Sequence, residues 1–198
     1  QASELQDKGV LANCHVNVLQ TQDHPQFKTY GEELKWLTTD STRMTWVANT
    51  IKDIATSGNT LILVDRISAG EILEKKIKDA VFVSGSTKNT DRKEQYDEVS
   101  TSQNKVIIAT YGVAAVGINI PRIFNLVLIE PGKSFVRVIQ SIGRGIRKAE
   151  DKDSVQIWDI TSSCKFAKRH LGARKKFYKE ANYPYNIEKI EYANPYTR

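Results

Sequence analysis

At 198 residues, 40 % hydrophobic and 26 % charged, the chain can bury one good core and is ordinary in composition, which excludes a disordered or fibrous protein. No apolar run approaches the roughly 20 residues needed to span a bilayer, and two isolated cysteines, Cys14 and Cys164, suit reduced cytoplasmic thiols better than a disulfide or zinc site. The net charge of +6 is unevenly placed: residues 134–148 and 165–179 carry bases and no acid, seven bases in the second stretch. Such stretches suit phosphate backbones or, equally, a solvated face.

In chain order, short apolar runs predict strands at 10–20, 60–65, 80–83, 105–109, 125–129 and 155–160. The polar stretch 21–28 reads as a loop. Between the strands, Met44, Val47, Ile51 and Ile54 recur at helical spacing, as do Ala69, Ile72, Leu73 and Ile77. Asp91 with Glu94 three residues on reads as a capping box opening a further helix. Residues 164–179 form a basic helix with Phe166, Leu171 and Phe177 as its apolar contacts, open to a duplex or branch contact as well. The piece after Ala181, with Tyr183, Tyr185, Tyr192 and Tyr196, is expected as an irregular arm whose tyrosines pack on the core or stack on bases. Strands alternating with helices imply a mostly parallel, helix-flanked α/β sheet, with ligands at the carboxyl ends of the strands. The loops after Asp65, Val83, Ala109 and Ile129 thus share one functional edge.

Two motifs carry the chemistry. In the first, a helix holds Gln140-x-x-Gly143-Arg144-x-x-Arg147. At about 100° per residue, Phe135, Val138, Ile139, Ile142 and Ile146 share one face, and the motif's four residues share another. Two guanidinium forks one turn apart, beside a glycine that permits close approach, suit a polyphosphate. In the second, Ala109-Thr110-Tyr111-Gly112-Val113-Ala114-Ala115-Val116-Gly117-Ile118-Asn119-Ile120-Pro121 follows a buried strand. Thr110 offers a hydroxyl to a phosphate oxygen, Gly117 a close backbone approach, and Asn119 an acceptor for a ribose hydroxyl.

In these residues the chain resembles the second RecA-like motor domain of superfamily 2 helicases, over roughly residues 40–180. The Thr110 to Pro121 run is similar to that family's motif V and the Gln140 helix to its motif VI. The strand run Thr60 to Arg66 sits where motif IV is expected, and Phe82-Val83-Ser84-Gly85 with Thr90-Asp91-Arg92 resembles the segment after it. Within the family the chain is most similar to the UvsW recombination helicases of tailed phages, through the Val83-Ser84-Gly85 segment, the Ala109 to Val113 step, the Gln140 helix and the Trp158-Asp159-Ile160 strand with its basic tail. Asn119 stands where many relatives carry aspartate.

The resemblance implies half of an ATP-driven motor acting on branched DNA in recombination, repair or replication. A RecA-like domain over 35–182 is expected, preceded by a linker-side strand and connection (1–34) and followed by the arm (183–198). Gln140, Arg144 and Arg147 would act in catalysis, Gly117, Asn119 and Gly143 at the nucleotide, and Arg66, Gly85, Thr110, Tyr111 and Gly112 on the nucleic-acid backbone. ATP and Mg²⁺ would be held by a separate N-terminal motor domain, since neither a G-x-x-x-x-G-K-[ST] loop nor an acidic pair after a suitable strand occurs in the sequence. Gln1 is not an initiator methionine, so the chain is expected to be a piece of something longer, inactive in isolation. A monomer in the cytoplasm of a bacterial host is implied. An RNA helicase, a restriction-type translocase or a non-catalytic nucleic-acid-binding module are the alternatives.

Overall fold

Four of the predicted strands are apolar along most of their length because both of their faces are covered. In the computed structural model, which describes residues 13–85, 87, 91–95, 98, 104–116, 122–132 and 154–192, these are β2 (Thr60–Val64), β3 (Val81–Val83), β4 (Val106–Thr110) and β5 (Asn125–Ile129). With β1 (Asn13–Thr21), β6 (Ser154–Ser162) and β7 (Tyr185–Ile190) they form one sheet in the order β3-β4-β2-β5-β6-β1-β7. Every pairing is parallel.

The period-2 alternation of the strands divides the core. Leu61 and Leu63 of β2, Ile107 and Ala109 of β4 and Leu126 and Leu128 of β5 point to one face. Ile62, Val64, Ile108, Val127 and Ile129 point to the other. The second face is covered by α2 (Ser41–Ala55), through Met44, Val47, Ile51 and Ile54, and by α3 (Ile67–Lys76), through Ala69 and Leu73. The first is covered by α4 (Tyr111–Ala115) and α5 (Lys165–Glu180), through Val113, Ala114, Leu171 and Tyr178. Gly70 lets α3 sit tight on β3, since a Cβ there would lie 2.4 Å from the Phe82 ring.

Helix α1 (Tyr30–Thr39) has no counterpart in the apolar periodicity. It buries Leu34 and Leu37 together with the carboxylate of Glu33. That carboxylate accepts from the backbone N–H groups of Phe166 (3.0 Å) and Ala167 (2.8 Å) and so caps α5, whose own Cys164 provides no side-chain cap. Residues 91–95, where the capping box was read, are helical.

The C-terminal segment departs from expectation. Residues 185–190 are not an irregular arm but a seventh strand, paired with β1 from Val16↔Tyr185 to Thr21↔Ile190. The reason is the edge that β1 would otherwise leave unpaired: its N–H groups find partners there, beginning with Val16 donating to the Pro184 carbonyl at 2.9 Å. Tyr183 is buried and Tyr185 packs beside it, while the Tyr192 hydroxyl donates to Asp23 at 2.5 Å. Three of the tail's four tyrosines are therefore committed to the fold; Tyr196 lies outside the described residues. Neither cysteine is in a disulfide, and Cys164 is buried. No helix among the described residues is long and apolar enough to cross a membrane.

Candidate nucleic-acid interface

Because the sheet is parallel, the loops that follow its strands open on one edge. Val83 pairs with Ala109, and Val64 pairs with Thr110. Strands β3, β4 and β2 thus end side by side, at a neighbour spacing of about 4.8 Å. Gly85 and Arg66 follow directly in loops, and Thr110 to Gly112 form the end of β4 and the first turn of α4. The five residues named from the sequence as candidate backbone contacts, Arg66, Gly85, Thr110, Tyr111 and Gly112, all lie at or just after these three strand ends.

Thr110 begins α4: its Oγ1 accepts from the Val113 N–H at 3.2 Å, while its O–H can still donate. Gly85 and Gly112 are exposed, and a Cβ at Gly85 would meet nothing within 4 Å. A ligand oxygen can therefore reach the backbone there. Arg66 is half-buried; its Nη2 donates to the Gly31 carbonyl at 3.3 Å, which ties the loop after β2 to the start of α1. Tyr111 behaves otherwise. Its hydroxyl turns inward and donates to the Ile129 carbonyl at 2.9 Å, and burial pushes the phenol well above its ordinary pKa. Its side chain holds α4 to β5.

Two groups that carried no role in the sequence reading shape the edge. The Nη2 of Arg92 donates to the carbonyls of Ser84 (3.1 Å) and Gly85 (3.0 Å), and Thr87 Oγ1 accepts from the Ser84 N–H at 3.0 Å. These bonds tie Ser84, Gly85, Thr87 and Arg92 together. Arg92 sits in the very segment whose resemblance was noted, so a signal was present. The second group is Arg43, fully buried on α2. It donates to Thr21 Oγ1 (3.1 Å), the Leu37 carbonyl (2.6 Å), Glu130 Oε1 (2.8 Å) and the Thr161 carbonyl (3.2 Å). Apart from the Leu37 carbonyl on α1, these atoms sit at the carboxyl ends of β1, β5 and β6. Arg43 closes that half of the edge; at the half formed by β3, β4 and β2, Asp65, Gly85 and Gly112 are exposed among the described residues.

Glu130 follows β5 with a positive φ of 44° and accepts from Arg43 and, at 3.2 Å, from Thr161 Oγ1. Burial outweighs the Arg43 guanidinium and pushes its carboxyl up to about 7. The folded state therefore keeps a proton that the unfolded chain loses near pH 4.3, so stability falls as pH rises through that window. Urea unfolding should show a loss of roughly 1–3 kcal/mol between about pH 4.5 and 7.5 that is missing in Glu130→Gln. An identical pH profile in the two proteins would refute this account of Glu130.

Gly117, Asn119, Gln140, Gly143, Arg144 and Arg147 lie outside the described residues. Among the described residues, no group of three His, Cys, Asp or Glu side chains is placed to hold a metal ion. The described residues of this edge therefore supply no donor set that fits Mg²⁺.

Residues 42–149 match the family described as the helicase conserved C-terminal domain. The chain belongs to that family. It is 28 % identical over 202 residues to the ATP-dependent DNA helicase UvsW of Enterobacteria phage T4, an alignment covering 96 % of this chain and 40 % of that protein. The crystal structure of T4 UvsW superposes with a TM-score of 0.78 at 22 % identity, over 90 % of this chain and 42 % of that one. The E. coli DEAD-box protein SrmB, bound to regulator of ribonuclease activity A, superposes with a TM-score of 0.62 at 17 % identity, over 94 % and 96 % of the two chains. Identities this low speak for the fold alone, and that fold is the RecA-like helicase C-terminal domain. The chain spans about 40 % of the length of T4 UvsW.

Proposed function

We propose that this helicase C-terminal domain is one half of an ATP-dependent DNA helicase or translocase that works on branched DNA in recombination, repair or replication. The observation that carries the reading is the strand edge where, among the described residues, the ends of three adjacent strands bring Arg66, Gly85 and Thr110 together while Arg43 closes the rest. The named activity of T4 UvsW supports the choice of DNA.

In this reading the Arg66 guanidinium, the Thr110 hydroxyl and the backbone at Gly85 and Gly112 hold successive phosphates of one strand. Such a grip reads no bases, so binding is sequence-tolerant and salt-sensitive. Arg144 and Arg147 approach the γ-phosphate of an ATP held by a partner N-terminal RecA-like domain, with Gln140 beside them. Gly117, Asn119 and Gly143 line the nucleotide. Charge that spreads over the phosphoryl oxygens in the transition state meets planar guanidinium donors already in place. Because those donors arrive only when the two domains close, turnover is coupled to domain motion and hence to the grip on the strand. Mg²⁺ would be held by the partner domain.

The 198-residue chain alone should show no DNA-stimulated ATP turnover, and joining it to an N-terminal RecA-like domain that carries a phosphate loop should restore turnover. A phosphate-release assay on both proteins, with and without single-stranded DNA, provides the check. Robust stimulated turnover by the chain alone would sink the half-motor reading.

A further inference from the structure

The seven bases of the 165–179 stretch look equivalent in sequence, but the fold sorts them. Arg174 points inward: its Nε and Nη2 donate to the two carboxylate oxygens of Asp159 at 2.8 and 2.9 Å, and Tyr178 donates to the same carboxylate at 2.7 Å. Lys175 is half-buried. The remaining five, Lys165, Lys168, Arg169, Lys176 and Lys179, are all exposed. On a helix they fall within an arc of roughly 100° and form one row about 21 Å long.

Gly172 lies at the centre of this row, exposed, with nothing within 4 Å of where its Cβ would be. No packing contact calls for a glycine there, and a glycine inside a helix weakens it. What the missing side chain provides is a low point in the row, between Arg169 and Lys176, where another surface can come close to the helix. The first cations are held in place: Lys165 Nζ stands 5.4 Å and Arg169 Cζ 5.6 Å from the Phe166 ring centroid. Phe166 in turn packs against Tyr30 at 6.3 Å between centroids.

We infer that the exposed row of α5 is a second nucleic-acid contact, separate from the strand-edge grip, and that it takes the phosphate backbone of duplex DNA. Three features choose the duplex over a single strand. The row is straight and rigid, and its length matches about six base pairs at 3.4 Å each. It offers no exposed aromatic ring on which an unpaired base could stack. Its polar groups are cations alone, which recognise a regular line of phosphates and read no bases. In a motor that tracks one strand at its open edge, α5 would hold the duplex arm beside it. The choice of DNA rests on the function proposed above; the duplex contact itself does not depend on ATP chemistry.

Binding of the chain to labelled duplex and single-stranded DNA, followed by fluorescence anisotropy between about 50 and 200 mM salt, tests the inference. Replacing three row cations together (Lys168→Gln, Arg169→Gln, Lys176→Gln) should weaken duplex binding about tenfold or more and flatten the salt slope by about 2–3, because three phosphate contacts are lost. Single-strand affinity should stay within about twofold of wild type, since those contacts lie at the strand edge. Gly172→Glu is the second variant: Glu suits a helix better than Gly and meets open space, so it folds, and it should weaken duplex binding selectively by repelling phosphate. Arg66→Ala should do the reverse, weakening single-strand and sparing duplex binding. Unchanged duplex affinity and slope in both α5 variants would overturn the inference, as would equal losses on the two DNA forms. Unchanged single-strand binding in Arg66→Ala alone would instead count against the strand-edge grip.

Discussion

Replacing Arg144 or Arg147 with alanine in the complete motor is expected to lower DNA-stimulated ATP turnover by about two to five orders of magnitude, or roughly 3–7 kcal/mol of transition-state stabilisation. Both residues lie outside the described residues, and the apolar period of the sequence predicts a helix there. Phe135, Val138, Ile139, Ile142 and Ile146 share the face that would hold the helix down, whereas Gln140, Arg144 and Arg147 share another. Removing either guanidinium takes nothing from the apolar face and should leave folding intact. Nucleic-acid binding should survive as well, because Arg66 and the α5 row lie elsewhere in the sequence. Arg→Lys should rescue poorly, because an ammonium cannot reproduce the planar fork. Steady-state turnover beside a thermal melt and a DNA-binding isotherm separates these outcomes. Turnover within a few-fold of wild type in both alanine variants would mark the helix as merely solvated.

The second large effect is on stability. Arg43→Ala should destabilise the domain by about 3–5 kcal/mol, because removing one partner of a buried ion pair leaves the other charge without compensation. Arg43 also lies 3.6 Å from Asp23, whose Oδ2 accepts from Thr21 (2.6 Å) and Ser162 (2.6 Å). The loss would thus reach Glu130, Asp23, Thr21 and the Leu37 and Thr161 carbonyls together. Against a typical domain stability of roughly 5–15 kcal/mol, such a change is severe. Arg43→Lys should recover only part, since one ammonium cannot meet four acceptors in different directions. The cost should also shrink toward pH 5, where Glu130 is protonated and needs no counter-charge. Urea titrations of both variants at pH 5 and about pH 7.5 provide the measurement. A loss below about 1 kcal/mol at the higher pH would show that the cluster relaxes or hydrates instead.

Much of the fold was legible in the one-dimensional pattern. β2 and β5 could be read from runs such as Leu61-Ile62-Leu63-Val64 because strands covered on both faces are apolar throughout. α2 and α3 could be read because one stripe of each meets the core. The family could be read too, from motifs whose order and spacing run along the chain.

The tertiary structure decided what depends on partners far apart in sequence. β7 is exposed at most positions and has no apolar signature; it is a strand because β1 offers an edge about 170 residues upstream. Glu33 belongs to α1, yet its carboxylate caps α5 across 133 and 134 residues. Arg43 and Arg174 read as ordinary surface bases until Glu130, 87 residues away, and Asp159 take them inward. Tyr111 stood beside the motif glycines as a candidate contact, and the Ile129 carbonyl claimed its hydroxyl. The physical reason is common to all of these. Burial of apolar side chains is additive and local enough to leave a period in the sequence, whereas a buried polar group is placed by the one partner that satisfies it, and that partner is brought near only by folding.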